Sequence, residues 1–335
     1  MPSDHSSPNQ SSSFPALRQR FASAPARAAL ISFLAILLAA LFVTTYTLAL
    51  GNPVPRGIPF AVVGDLDAHD TVVQAVAQVA GGPNFYEYDS LPAALSAVDW
   101  QHVYAALDLT SEPPTLYVAS AAGASAARAL SRVAIIDPGV RIIDTHPLGG
   151  NDPGGLDIFY LMLGTTILGF VTTFQVRANA RPLSLRQWTI FVIAHAITGA
   201  LVLTLVAGPL LRRLDLPVFE VWPILTLQLI AAASFASLMM VLIGPWAIVP
   251  TWLFFVVLGN SSSGGAVAPP LLPDPFSFLS QWLPSGATVT ALRNAVYFPE
   301  NQHPRPIAVL ATWAIVLFVA MLVVSRRRQM SPGVP

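Results

Sequence analysis

From Val221 to Pro273 the chain runs 53 residues without one charged side chain. A water-soluble surface is hard to build from such a stretch, because soluble domains carry about one charged residue in four. A bilayer asks for the opposite: its hydrocarbon core is about 30 Å thick and is crossed by about 20 apolar residues wound as helix. The run is too long for one crossing and suits two, divided near Gly244-Pro245. Four more runs are free of charge and of crossing length: Ala28–Leu50 (23 residues), Ile158–Val176 (19), Gln187–Leu211 (25, interrupted by His195) and Pro306–Ser325 (20). The pattern predicts a polytopic α-helical membrane protein with six transmembrane helices. Composition agrees, with 54% hydrophobic and only 10% charged residues. Ala28–Leu50 reads as a retained anchor, since its apolar run exceeds the roughly 7–15 residues of a cleaved signal peptide.

Orientation follows from the arginines, because cytoplasmic loops collect positive charge. Residues 1–27, 177–186 and 326–335 together hold nine Arg and a single acid, Asp4. The segment 51–157 holds twelve acids and four Arg. Both termini are therefore expected in the cytoplasm and 51–157 outside a plasma membrane. Arg212 and Arg213 fall on the outer side and run against the trend. The Ser- and Pro-rich residues 1–27 read as mostly disordered, with a short helix lying on the inner leaflet within Phe14–Leu30.

The 51–157 segment is long enough for a small extracytoplasmic domain between helices one and two. Pro59–Asp65, Asn84–Tyr88, Val103–Leu109 and Thr115–Ser120 read as strands. Helices are expected over Val72–Ala80, over Leu91–Val98 and through the Ala-rich stretch ending at Arg132. Strands alternating with helices predict an α/β sheet. Asp65, Asp67 and Asp70 resemble the opening of a calcium loop but lack its Gly and closing Glu, and Asp70-Thr71 fits a helix cap better. His69, His102 and His146 show no metal-ligand spacing.

Several chemistries are excluded outright. Cysteine is absent and all 17 basic residues are Arg, so thiolate sites, Schiff bases and a lysine-bearing P-loop are impossible in this chain. No catalytic, metal-ligating or cofactor-binding set stands out, and a net charge of zero gives no footing for nucleic acid. Within the spans, His195 and Gln228 are the candidate pathway-lining groups, with interhelical hydrogen bonding as the plainer reading. The loop 177–188, with Arg177, Arg181, Arg186 and Trp188, reads either as an ordinary positive-inside loop or as a docking element with a short amphipathic helix. The apolar but Gly-, Ser- and Pro-rich stretch 260–305 cannot be a straight spanning helix. It reads as a re-entrant outer segment or an outer loop, with short helices near Phe276–Trp282 and Thr288–Tyr297.

Three features together resemble the type-2 ABC export permeases, in particular their YhgE/Pip-like bacterial branch. These are IPFAVVGDLD (Ile58–Asp67) followed by a helix, an aromatic strand, a second helix and VYAALDL; the six-span order; and NSSSGG with LSQWLP (Leu279–Pro284) and ALRNAVYF (Ala291–Phe298) before the last span. The resemblance implies the permease subunit of an exporter, working as a homodimer or with a sister permease among membrane lipids. A separate cytoplasmic ABC ATPase would bind the ATP, so this chain would hold no cofactor. It places the coupling element at Arg177–Trp188 and re-entrant outer helices at Pro275–Phe298. Walls without buried charge suit an amphiphilic or hydrophobic cargo. The competing expectation is a membrane-anchored scaffold or receptor whose outer domain binds an envelope ligand.

Overall fold

The computed structural model describes residues 24–180, 183–212 and 214–330. The expectations for residues 1–23, for Arg181 and Arg213 and for the end of the C-terminal tail lie outside the described residues. Five helical segments are long and apolar enough to cross a membrane: Ala24–Leu50, Asp157–Asn179, Leu185–Leu210, Val218–Asn260 and Pro304–Arg328. The chain also carries a small five-stranded sheet.

Helix α1 (Ala24–Leu50) is apolar on every side, with Phe33, Ile36 and Val43 all exposed, the composition of a helix made for lipid or for other apolar helices. After it comes the α/β domain. Its elements are β1 (Phe60–Val63), α2 (Asp70–Ala80), β2 (Phe85–Glu87), α3 (Leu91–Asp99), β3 (Ala105–Asp108), β4 (Thr115–Val118), α4 (Ala124–Leu130), α5 (Val133–Ile136) and β5 (Arg141–Asp144). The strand order is β2-β1-β3-β4-β5. Strand β1 runs parallel to β2 and β3, β4 runs antiparallel to β3, and β5 parallel to β4. The two strands β1 and β3 are buried at every position, which is why β1 is apolar throughout and β3 is apolar up to Asp108, whose buried carboxylate accepts from the Thr110 N–H and hydroxyl. Helices α2, α4 and α5 cover one face around Phe60, Leu107 and Leu130, while α3 covers the other around Ala61, Val63 and Ala106.

Gly81 shows why α2 stops where it does. It closes the helix at φ +79, its N–H and that of Gly82 returning to the Gln78 and Ala77 carbonyls. A Cβ there would stand 2.1 Å from the Pro55 carbonyl oxygen, so only glycine lets the domain's entry strand pass this close.

The helical part contains α6 (Asp157–Asn179), α7 (Leu185–Leu205, extended by a π-helical turn over Val206–Leu210) and α8 (Val218–Ile243). It continues through a 3-10 turn (Gly244–Ala247), α9 (Ile248–Thr251) and a π-helical arm (Trp252–Asn260). Val218–Asn260 is not one rod. A straight helix would hold residues 235 and 254 about 28 Å apart at ~1.5 Å per residue, yet the rings of Phe235 and Phe254 stack at 4.9 Å. The chain therefore folds back at Gly244, whose φ of +62 breaks the helix at the position read from Gly244-Pro245. The returning arm is much shorter than a full crossing helix.

Residues 261–303 then hold a 3-10 turn (Pro269–Leu271), α10 (Phe276–Ser280) and α11 (Pro284–Tyr297), before α12 (Pro304–Met330) closes the chain. Helix α11 is buried over most of its length among α6, α8 and α12. Serines 261–263 are buried too, and each hydroxyl turns back to a carbonyl, as in Ser263 to Asn260 at 2.9 Å. Irregular backbone is thus sealed by protein, the condition for tolerating it away from water.

Candidate functional site

Two places hold the polar groups of the helical part. The first is the end where α6 gives way to α7. Arg177, in the last turn of α6, lies over the Trp188 ring at 4.3 Å, a cation–π contact. Trp188 is buried and donates its indole N–H to Ser237 Oγ at 3.1 Å. It is therefore a packing residue between α7 and α8, not an interfacial ring on a loop. Nor does LSLRQW form a separate amphipathic helix. Ser184 and Gln187 make a reciprocal capping box that starts α7 itself, and serine followed three residues later by glutamine is the signature of such a start. The connection between α6 and α7 is short, and of the described candidates Arg177, in the last turn of α6, and Arg186, in the first turn of α7, are exposed while Trp188 is buried. Arg328 reaches the Leu242 carbonyl at 3.1 Å, bringing the arginine end of α12 to the end of α8.

The two candidate pathway residues share no partner. Gln228 is fully buried; its amide donates to Thr166 Oγ1 at 2.7 Å and its oxygen accepts from Thr288 Oγ1 at 3.0 Å. It ties α6, α8 and α11 together. His195 on α7 stacks on Phe191 at 5.6 Å, and its Nε2 is buried without a hydrogen-bond partner. The aspartates 65, 67 and 70 serve turns and a helix end: Asp65 accepts the N–H groups of Asp67 and Ala68, and Asp70 accepts from Gln74. Among the described residues no group of His or acids is arranged to hold a metal.

The second place was not visible as a motif. A cavity of about 630 Å³ opens between the α/β domain, the 269–281 stretch, α11 and the first turn of α12. Such a volume falls within the range of ligand sites, about 300–1,000 Å³. Its walls carry Arg56, Arg293, Arg305, His102 and His303, and no carboxylate. A second cavity, by contrast, mixes Arg128 and Arg132 with Asp144.

Each arginine of the first cavity is held by neutral groups. Arg56 donates to the Val54 and Leu271 carbonyls at 3.1 and 2.9 Å. Arg305 donates to Gln281 Oε1 at 3.3 Å and lies 5.3 Å over the Trp282 ring. His303 bonds the Trp100 carbonyl. Arg293 exposes only 9% of its surface, and its one hydrogen bond goes to the Gly265 carbonyl at 3.1 Å. Beside it, burial pushes the Tyr104 phenol above its usual pKa, the Arg293 charge opposing that rise. Among the described residues the one contact of a carboxylate with a basic side chain at salt-bridge distance is Asp99 with the His146 ring at 3.7 Å.

The scaffold around the cavity is tightly joined. Ala268 donates its N–H to Ser125 Oγ at 2.8 Å, and Arg56 its N–H to the Pro270 carbonyl at 3.0 Å. With its amide turned to satisfy its partners, Asn294 joins Gln101 at 2.8 Å and the His303 N–H at 3.2 Å. Val267, Leu271 and Leu272 enter the core on one face of the sheet and Phe298 the core on the other. Sequence spacing could not reveal this site, because its arginines lie at positions 56, 293 and 305. The one local signal was an Arg in the middle of the small-residue helix ATVTALRNAV.

No family model matches the chain, no curated protein matches it, and no solved structure matches it.

Proposed function

We propose that the chain is the membrane subunit of an ATP-driven exporter, moving an amphiphilic or hydrophobic cargo across the plasma membrane with energy from a separate cytoplasmic ATPase. One observation carries this reading: an apolar helical bundle receives a buried return segment, 261–303, beneath a folded α/β domain. A simple anchor has no need of irregular backbone packed among its helices, whereas a translocation path is lined by such elements. On this reading the Val218–Asn260 hairpin, its short returning arm completed by the buried 261–303 segment, counts as two passes, giving six. The arginine ends of α6, α7 and α12 face the cytoplasm, and the acidic domain lies outside. Two copies, or one with a sister subunit, enclose the path. The short α6–α7 connection, with Arg186 at its surface and Arg177 braced on Trp188, receives the ATPase. The resemblance to type-2 ABC export permeases points the same way, and a chain without lysine carries no P-loop of its own.

The test is purification of tagged protein from its own cells, followed by reconstitution. The reading expects a co-purifying chain with a P-loop and ATP-dependent movement of a fluorescent amphiphile, both weakened by Arg186→Glu. A preparation that never carries an ATPase, with transport indifferent to Arg186, would refute it. The second reading, a membrane-anchored receptor, is favoured by the basic cavity beneath the α/β domain. It predicts that ligand binding persists with no ATPase in the cell.

A further inference from the structure

We propose that the cavity between the α/β domain and α11 binds the phosphate group of a phosphorylated ligand, with Arg293 as its buried anchor. A charged group taken out of water is costly unless it is paired and hydrogen-bonded. Arginine does not escape by losing its proton under ordinary conditions. Arg293 has five N–H donors, one recorded hydrogen bond, to a carbonyl, and no carboxylate in contact. The cavity that it lines supplies no negative charge either. Among the described residues no carboxylate lies within salt-bridge distance of Arg293, and an anion from outside the chain would supply its countercharge.

The other cations narrow the chemistry. Arg56 and Arg305 border the same space and spend their hydrogen bonds on neutral acceptors, leaving further donors of each planar fork for a ligand. Three guanidinium groups around one cavity exceed what a single carboxylate needs. They suit a tetrahedral oxyanion, which accepts paired N–H bonds from several directions. The space is also too large for a lone halide and has room for the groups that a phosphate ester carries. At the nearby surface, the rings of Phe278 and Trp282 are exposed, 6.4 Å apart, beside Arg305 and the start of a helix of crossing length. Exposed aromatic rings next to a cation are the usual furniture of a membrane–water boundary. The phosphate can thus belong to a lipid headgroup or to a free phosphorylated solute, and the chemistry of capture is the same. The inference does not rest on the export reading, since it concerns equilibrium binding by this chain alone.

The test uses the full-length protein purified in a non-ionic detergent, with no ATPase present. Binding is read by calorimetry and by the shift in thermal midpoint for three probes: inorganic phosphate, short-chain phosphatidylglycerol and a short-chain diacylglycerol, which carries no phosphate. A ligand that binds only the folded state raises that midpoint. Arg293→Gln is expected to weaken phosphate or phosphatidylglycerol binding about tenfold to a hundredfold, the range for a hydrogen bond to a charged group. Without ligand, the same variant is expected to melt no lower than the parent, because it removes an unpaired buried charge. A merely structural arginine would give the reverse. Should Arg293→Gln fail to fold, the Arg56→Gln/Arg305→Gln pair, nearer the rim, is expected to weaken binding at least tenfold. Binding of phosphatidylglycerol alone assigns the site to a lipid headgroup. Binding of inorganic phosphate as well assigns it to phosphorylated solutes. No binding of either, equal binding of the phosphate-free diacylglycerol, or affinities unchanged in the variants that fold overturns the proposal.

Discussion

Thr288→Val should cost more stability than the removal of a methyl-sized polar group suggests, and the reason is Gln228. That side chain is fully buried, and its oxygen accepts from Thr288 Oγ1. Valine keeps the shape of threonine but leaves the amide oxygen with no donor, at a cost of about 1–3 kcal/mol for a buried orphan. Gln228→Leu removes the amide itself. Thr166 and Thr288 are then not orphaned, because their hydroxyls retain the Met162 and Pro284 carbonyls at 2.9 and 2.8 Å. Its cost is therefore the loss of two interhelical bonds, about 0.6 kcal/mol each by the average for membrane helices. Once Gln228 is leucine, adding Thr288→Val should cost under ~0.5 kcal/mol, because no amide oxygen remains to be orphaned. The assay is a double-mutant cycle on purified protein, following loss of helical signal as SDS is titrated into mixed micelles. A Thr288→Val penalty that is the same in both backgrounds would show that α6, α8 and α11 are not coupled through this network.

Gly81→Ala places a Cβ against the Pro55 carbonyl in a left-handed backbone. It should destabilise the α/β domain by at least ~1–2 kcal/mol and speed its limited proteolysis, while a cut rate equal to the parent's would contradict the packing. Ser184→Ala removes the cap of α7 and should lower stability by about 0.5–2 kcal/mol, measured in the same SDS titration. Tyr104 gives a pH signature. Its phenol is raised above the ordinary value of 10.0, chiefly by burial, so the folded state holds a proton that the unfolded state releases. Stability is complete below pH 10 and falls as pH climbs above it. Tyr104→Phe should flatten that alkaline decline, and an unchanged decline would place its cause elsewhere.

Much of this was legible in the sequence, and the reasons differ by element. Runs free of charge locate helices because burying ionised side chains in hydrocarbon is expensive over any length. The break at Gly244-Pro245 was readable from residue type alone. In the α/β domain, β1 and β3 announce themselves because strands buried on both faces are built mainly of apolar residues, with Asp108 at the end of β3 the one charged position. Strand β5 was missed: RIID is two isoleucines between an Arg and an Asp at an exposed edge, too short and too polar to stand out, where nothing forbids polar residues. The α2 cap also differs, since His69 holds that position without a side-chain bond and Asp70 is already helical. At the arginine end, composition showed positive charge but not that Trp188 turns inward. A single indole cannot disclose whether it meets lipid headgroups or, as here, a serine on α8. The basic cavity was illegible because it is assembled from three distant parts of the chain, and no local spacing encodes their meeting.

The account stands on sidedness, and the absence of cysteine makes that directly measurable. Single cysteines placed at Ile135, 80% exposed on the α/β domain, and at Arg186, exposed at the start of α7, can be challenged in intact cells with a membrane-impermeant maleimide. The account predicts that Ile135→Cys is labelled at once and Arg186→Cys only after the membrane is permeabilised. Labelling of both before permeabilisation would place the acidic domain and the arginine end on one side and contradict it.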